Sequence, residues 1–245
     1  MSPQILFFAL AGGILPALLW LWFWLQEDSL HPEPRGMLIE TFIAGMIMVP
    51  LVLPVEQFIQ QKYAFSVFLV VVLWSAVEEL FKFIAAYVAG LRTQENDEPI
   101  DPVIYLITAA LGFSAMENAF FLVTSLSNSG AMQSLITGNL RFIGATLLHV
   151  LSSGIIGLLL GLSFRKNFIV RKIYLFVGLV LSVVTHATFN IFISTHAQGN
   201  ILLSLFGHNY KISNLFIIFA SVWIALLVLI VGIQKVKHLK TWGWE

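Results

Sequence analysis

The chain has no cysteine among its 245 residues. Disulfide bonds, cysteine nucleophiles and cysteine metal sites are therefore excluded, and the redox compartment stays open. Charge is also scarce, because only 11% of the residues are charged, whereas a soluble domain carries about 25%. Basic and acidic residues are equal in number, at 13 each, and we expect no nucleic-acid partner.

Long apolar runs take the place of charge, since 58% of the residues are hydrophobic. Several runs exceed the roughly 18 residues that mark a membrane-spanning helix. The sequence therefore predicts an all-α, polytopic transmembrane helix bundle, in contact with the lipid bilayer, that forms one domain over residues 1–245. We expect about seven spans, at 4–25, 37–58, 66–90, 102–126, 139–163, 172–195 and 212–233.

The loops between the predicted spans alternate in their content of lysine and arginine. One set carries only Lys62, Arg141 and Lys211. The other set carries Arg35, Arg92, Arg165, Lys166, Arg171, Lys172, Lys235, Lys237 and Lys240. Because basic loops stay in the cytoplasm, we expect the N-terminus outside and the C-terminus in the cytoplasm.

Glu78, Glu79 and Lys82 place three charges near the middle of the third apolar run. An ionisable side chain at the centre of a membrane helix costs roughly 2.5–3.5 kcal/mol on insertion scales, so such residues indicate a functional site. Adjacent helical residues point about 100° apart. We therefore expect one glutamate to face the site and the other to pair with Lys82 or cap a neighbouring helix, but the pattern does not say which does which.

Three further spans each carry an ionisable residue at a similar depth. With a rise of about 1.5 Å per residue, Glu117, His149 and His186 lie near the same membrane level as Glu78. Asn118 and Asn190 accompany two of them. The sequence therefore predicts one shared polar site in the membrane. By contrast, we expect Glu40, Glu56 and Arg141, which lie near span ends, to snorkel to the interface.

The residue inventory restricts the chemistry of this site. The aspartates all fall in loops or at span ends, and the zinc signature His-Glu-x-x-His is missing. A glutamate that deprotonates water, with histidine and asparagine around an oxyanion, is compatible with peptide hydrolysis. Zinc is a second route, with Glu79 (or Glu78), Glu117, His149 and His186 as candidate ligands. A proton relay in a transporter stays open as well.

Several ordered motifs resemble those of the PrsW family of intramembrane proteases. They are Glu33-Pro34-Arg35 after Asp28, Glu78-Glu79-x-x-Lys82, Asp101 with Tyr105, Gly112-Phe113-Ser114-Ala115-Met116-Glu117-Asn118, Arg141 followed by His149, and His186-Ala187-Thr188-Phe189-Asn190. Each motif is weakly specific by itself. Their order, spacing and placement on successive spans are together specific.

The resemblance implies a glutamate-dependent membrane protease, related to the CAAX prenyl endoproteases, with a catalytic core over about 66–195. It implies Glu78 or Glu79 as the base that activates water and His149 as a further site residue. It also implies that His186 and Asn190 stabilise an oxyanion. From the residues alone we expect Lys82 to be a charge partner, and Asn118 either to support catalysis or only to hydrogen-bond between helices.

The resemblance also implies a prokaryotic plasma-membrane protein that cuts a single-pass substrate. In the founding family member that substrate is an anti-sigma factor. The alternatives are a non-catalytic scaffold, related to the anterior-pharynx-defective subunit of gamma-secretase, and a proton-coupled transporter.

Overall fold

Seven α-helices account for most of the residues that this computed structural model describes, which are 2–28, 31–128, 141–196, 199–205 and 208–239. They are α1 (Pro3–Leu25), α2 (Arg35–Tyr63), α3 (Val67–Ala86), α4 (Asp101–Asn128), α5 (Thr146–Leu162), α6 (Phe168–His196) and α7 (Asn214–His238). Two π-helical turns extend this set: Tyr87–Leu91 continues α3, and Arg141–Ala145 leads into α5. Lys240 and residues 139–140 of the fifth predicted span lie outside the described residues.

The all-α class predicted from the sequence is confirmed, and five of the described helices are long and apolar enough to cross a membrane. These five are α1, α2, α4, α6 and α7. The third and fifth predicted spans correspond to α3, which carries the three charged residues, and to α5, which has 17 residues. The seven-span count and the orientation in the membrane stay predictions.

A short β-hairpin between α6 and α7 was not predicted. Strand β1 (Asn200–Leu205) pairs antiparallel with β2 (His208–Ser213), with Leu205 opposite His208. The sequence of β2 alternates polar and apolar residues, which is the period of a strand. That short signal stands between two long apolar runs, and the predicted spans leave residues 196–211 to a loop, while Ile212 and Ser213 fall in the seventh predicted span.

Helix α4 forms the centre of the bundle, and its residues from Asp101 to Ala115 are buried. It packs against α1, α2 and α5. Two glycines permit the contact with α2, because a Cβ on Gly45 would meet the carbonyl oxygen of Ala109, and one on Gly112 would meet that of Phe42. Small residues at such contacts let membrane helices approach closely.

The outer surface of the bundle is apolar. Phe68 on α3, Phe176 on α6 and Val231 on α7 are 66%, 68% and 70% exposed. Soluble monomers rarely expose apolar patches of more than a few hundred Å². The surface is therefore suited to lipid, whereas the charged side chains of α3 point inward, where Glu78, Glu79 and Lys82 are buried.

Candidate active site

The polar residues predicted to meet in the membrane do converge at one place. Glu78, Glu79 and Lys82 come from α3, and the other contributing side chains come from the next three helices, namely Glu117 and Asn118 on α4, His149 on α5 and His186 on α6. The rings of the two histidines meet edge to face with their centroids 5.1 Å apart. Asn190 lies one turn after His186 and is half-buried.

Glu79 is completely enclosed by hydrogen-bond donors. Its Oε1 accepts from Lys82 Nζ, Ser152 Oγ at 2.8 Å and His186 Nδ1 at 2.7 Å, and its Oε2 accepts from Ser153 Oγ at 3.1 Å and Ser182 Oγ at 2.8 Å. The ion pair with Lys82 spans three residues of α3, so Glu79 is the glutamate that pairs with this lysine, a choice that the sequence left open. Both oxygens of Glu79 are thus occupied by the protein itself.

Glu78 has the opposite surroundings. Its Oε2 atom is buried and has no hydrogen-bond partner within the described part of the chain. This oxygen lies 3.7 Å from His186 Nε2 and 3.9 Å from His149 Nδ1. A buried carboxylate oxygen without a partner is costly and needs an explanation. Glu78 is therefore the one of the two adjacent glutamates that is able to receive a water molecule or a ligand.

Each histidine is oriented by a carboxylate at its far nitrogen. His186 Nδ1 lies 2.7 Å from Glu79 Oε1, and His149 Nε2 lies 3.0 Å from Glu117 Oε2. Because a carboxylate accepts hydrogen bonds, we assign the proton of each ring to the nitrogen that faces it. The lone pairs of His186 Nε2 and His149 Nδ1 then face Glu78. Such outer carboxylates fix histidine orientation in metal sites as well.

Arg141 belongs to the site, and the expectation that it snorkels at a span end was wrong. Its NH2 group donates to Glu117 Oε2 at 2.7 Å, and its Nε donates to Asn118 Oδ1 at 2.6 Å. The guanidinium also lies 3.7 Å from the centre of the Phe121 ring. The amide of Asn118 donates in turn to Thr146 Oγ1 at 3.0 Å, which ties α4 to α5. Arg141 and Asn118 thus hold Glu117 in place.

The sequence analysis did not assign Glu56 or Ser182 to the site. Glu56, which we expected to snorkel, is half-buried on α2, and its carboxyl group lies close enough to interact electrostatically with Glu78. Ser182 donates to Glu79 and is fully buried. A sequence signal for Ser182 did exist, because it lies four residues before His186 and so on the same face of α6. No comparable spacing singles out Glu56.

Three of the side chains form a group that could hold a metal ion. One ligand atom each from Glu78, His149 and His186 lies within 4.8 Å of the others, and all three residues are buried. One carboxylate and two imidazoles form a donor set that zinc uses in hydrolases. Among the predicted ligands, Glu79 and Glu117 are not members of this group. They bind the far nitrogens of the histidines instead.

A second acidic cluster gathers the remaining motif residues at the opposite end of α4. Asp28, Glu33 and Asp101 are buried there, Tyr105 donates to Glu33 Oε2, and Asp101 Oδ2 accepts from the backbone of Asp97 at 2.8 Å. Burial raises the pKa of Glu33, since it disfavours the charged form. The cluster fixes the loop before α4.

Comparison with known proteins places the chain among intramembrane proteases. The family model for the "PrsW family intramembrane metalloprotease" matches residues 33–230. The proteins named Protease PrsW from Halalkalibacterium halodurans and Geobacillus kaustophilus are each 25% identical to the chain, over 190 and 210 residues. These alignments cover 76% and 82% of this chain and 83% and 86% of the relatives. Protease PrsW from Clostridioides difficile is 25% identical over 198 residues, which are 78% of this chain and 81% of that protein. No solved structure matches the chain significantly.

Proposed function

The chain belongs to the PrsW family of intramembrane proteases and is therefore a peptidase, and we propose that it cuts a membrane-anchored protein with a water molecule bound at Glu78. The observation that carries this proposal is the unpartnered Oε2 of Glu78, which faces two histidine nitrogens. Glu79 is unsuited to the role, because five donors already occupy its oxygens.

The geometry supports a water molecule that donates to two acceptors. One hydrogen points to Glu78 Oε2 and the other to the lone pair of His186 Nε2, which lie 3.7 Å apart. A water that donates to both is held with its own lone pair directed outward, toward a substrate carbonyl. His186 then acts as an acceptor, so the role of oxyanion donor, which we expected it to share, falls to Asn190 alone.

In the proposed hydrolysis, Glu78 transfers one proton from the water molecule to the leaving nitrogen. As the water oxygen bonds to the carbonyl carbon, one proton passes to Glu78 and a tetrahedral oxyanion forms. The carbon–nitrogen bond then breaks, and the leaving nitrogen takes the proton from Glu78. The products are a carboxylic acid and an amine, and Glu78 returns to its starting state.

A divalent metal such as zinc fits the group of Glu78, His149 and His186. Glu78 Oε2 lies 3.9 Å from His149 Nδ1 and 3.7 Å from His186 Nε2. Two ligands of a tetrahedral zinc ion are about 3.4 Å apart. A bound metal would supply a Lewis acid and a water of lowered pKa. Glu78, His149 and His186 would hold it, while Glu79 and Glu117 keep the two imidazoles in the required orientation.

We propose a single-pass membrane protein as the substrate, such as an anti-sigma factor. An intramembrane protease acts on membrane proteins, and the described site lies inside a helix bundle with an apolar outer surface. A single spanning segment is able to approach such a bundle from the lipid, provided that its scissile bond reaches Glu78.

Reconstitution in liposomes with a panel of single-pass membrane proteins from the same organism tests the proposal. We expect the wild type to produce a defined cut, read by mass spectrometry, and Glu78→Gln to produce none. Glu40→Gln is the matched control, because Glu40 is an exposed glutamate on α2 and its loss should leave cleavage unchanged. Equal cleavage by wild type and Glu78→Gln would refute the proposal. Measuring metal content and cleavage in the same preparations, with and without a chelator, tests whether cleavage depends on a bound metal.

A further inference from the structure

His149 Nδ1 has a hydrogen-bond partner of its own. Lys82 Nζ lies 2.9 Å from this nitrogen, and both side chains are buried. An ammonium group has three donors and no acceptor, so the nitrogen of the imidazole must accept. The opposite nitrogen, Nε2, is engaged by Glu117 at 3.0 Å. The lone pair that faces Glu78 is therefore occupied by Lys82.

A metal ion held by Glu78, His149 and His186 would need that same lone pair. An imidazole nitrogen has a single lone pair in the ring plane, and it cannot serve a metal and an ammonium together. Rotation of the ring would not resolve the conflict, since it would break the bond between Nε2 and Glu117. Metal binding thus requires Lys82 to leave His149.

Lys82 is able to leave because it has a second anchor. Its ammonium also pairs with Glu79, three residues earlier on α3, and it lies 5.2 Å from the centre of the Phe113 ring. Both contacts are independent of His149. A small rotation of the lysine stem would therefore free His149 Nδ1 while the buried charge remains paired, which avoids the large cost of an isolated charge.

We propose that Lys82 competes with a divalent metal for His149 Nδ1 and stands in for the metal when the site is empty. This inference rests on the metal-binding part of the proposed function. The lysine charge would keep the carboxylates of the site compensated before the metal arrives. It would also weaken metal affinity, because a hydrogen bond from a charged donor has to be broken first.

Titration of purified protein with Co²⁺, read by absorption and calorimetry, tests the competition. We expect Lys82→Met to bind Co²⁺ at least about tenfold more tightly than the wild type. Lys82→Gln should fall between them, since its amide is still able to donate to Nδ1. Lys62→Met removes an exposed lysine of α2 and should leave the affinity unchanged. The signal should disappear in His149→Ala.

A second variant keeps the test valid if Lys82→Met fails to fold. The double variant Lys82→Met/Glu79→Gln removes both charges of the buried pair, and its glutamine oxygen still accepts from His186 Nδ1. It should also bind Co²⁺ more tightly than the wild type. Equal or weaker binding by both variants would overturn the competition.

The measurement separates this inference from the proposed function because it needs no substrate. If the affinities follow the expected order but the protein cuts none of the panel, the competition stands and the proposed function fails. If the protein cuts its substrate but neither variant binds Co²⁺ more tightly, the competition alone is refuted.

Discussion

Glu79 and Glu78 lie on opposite sides of the same histidine, His186, but only Glu79 is hydrogen-bonded to it. Glu79 Oε1 lies 2.7 Å from Nδ1, and Glu78 Oε2 lies 3.7 Å from Nε2. Two adjacent residues of one helix thereby have different surroundings, because a turn of about 100° directs their side chains to different neighbours. One carboxylate orients the ring, and the other has a free oxygen for chemistry.

Arg141→Lys should reduce cleavage without unfolding the protein. Arg141 binds Glu117 and Asn118 through two different nitrogens, at 2.7 and 2.6 Å, and a lysine ammonium cannot reproduce this fork. Looser orientation of a histidine through its outer carboxylate typically costs about 10–100-fold. The turnover rate in liposomes is the measurement, with the exposed residue Arg165 replaced by lysine as the control. Wild-type turnover in Arg141→Lys would show that Arg141 does not position Glu117.

Gly45→Ala and Gly112→Ala should each lower the melting temperature in detergent. A Cβ at either position would meet a backbone carbonyl oxygen across the contact between α2 and α4, and backbone is unable to move aside cheaply. Overpacking of this kind costs about 1–3 kcal/mol. Gly36→Ala is the matched control, since nothing lies within 4 Å of a Cβ there. A melting temperature that stays unchanged in all three variants would argue against the close contact.

Glu33→Gln should make thermal stability less sensitive to pH. Burial raises the pKa of Glu33 above its usual 4.5, so the folded protein holds this proton more tightly than the unfolded chain does. The resulting stability is full below about pH 4.5 and is lost as the pH rises through the folded pKa. The melting temperature of the variant, measured relative to the wild type, should therefore increase as the pH rises from about 4.5 to the folded pKa of Glu33. If the melting-temperature difference between variant and wild type stayed constant as the pH rises above about 4.5, the raised pKa of Glu33 would be contradicted.

The convergence of the site was predictable from the sequence, but the pairing within it was not. The rise of a helix fixes depth, and depth alone brought Glu78, Glu117, His149 and His186 to one level. Which neighbour a side chain contacts depends on how each helix is rotated about its axis. That rotation is set by packing, such as the close contact at Gly112. Lys82 pairs with Glu79, although the spacing was compatible with either glutamate.

Position near a span end was a poor guide to function. Arg141 and Glu56 were assigned to the interface because long side chains there reach water. In the folded bundle Arg141 pairs with Glu117 on α4, and Glu56 lies close enough to Glu78 on α3 for the two carboxyl groups to interact. The snorkelling rule considers one helix at a time and so ignores polar side chains on neighbouring helices.

The division of labour between the two adjacent glutamates is tested most directly by measuring cleavage and melting temperature together in Glu78→Gln and Glu79→Gln. Glu78→Gln should lose cleavage by at least about 100-fold and keep its melting temperature, because its Oε2 has no partner to lose. Glu79→Gln should unfold more easily, since the loss of one partner from a buried ion pair costs about 3–5 kcal/mol. Full cleavage by Glu78→Gln in a folded protein would contradict the account.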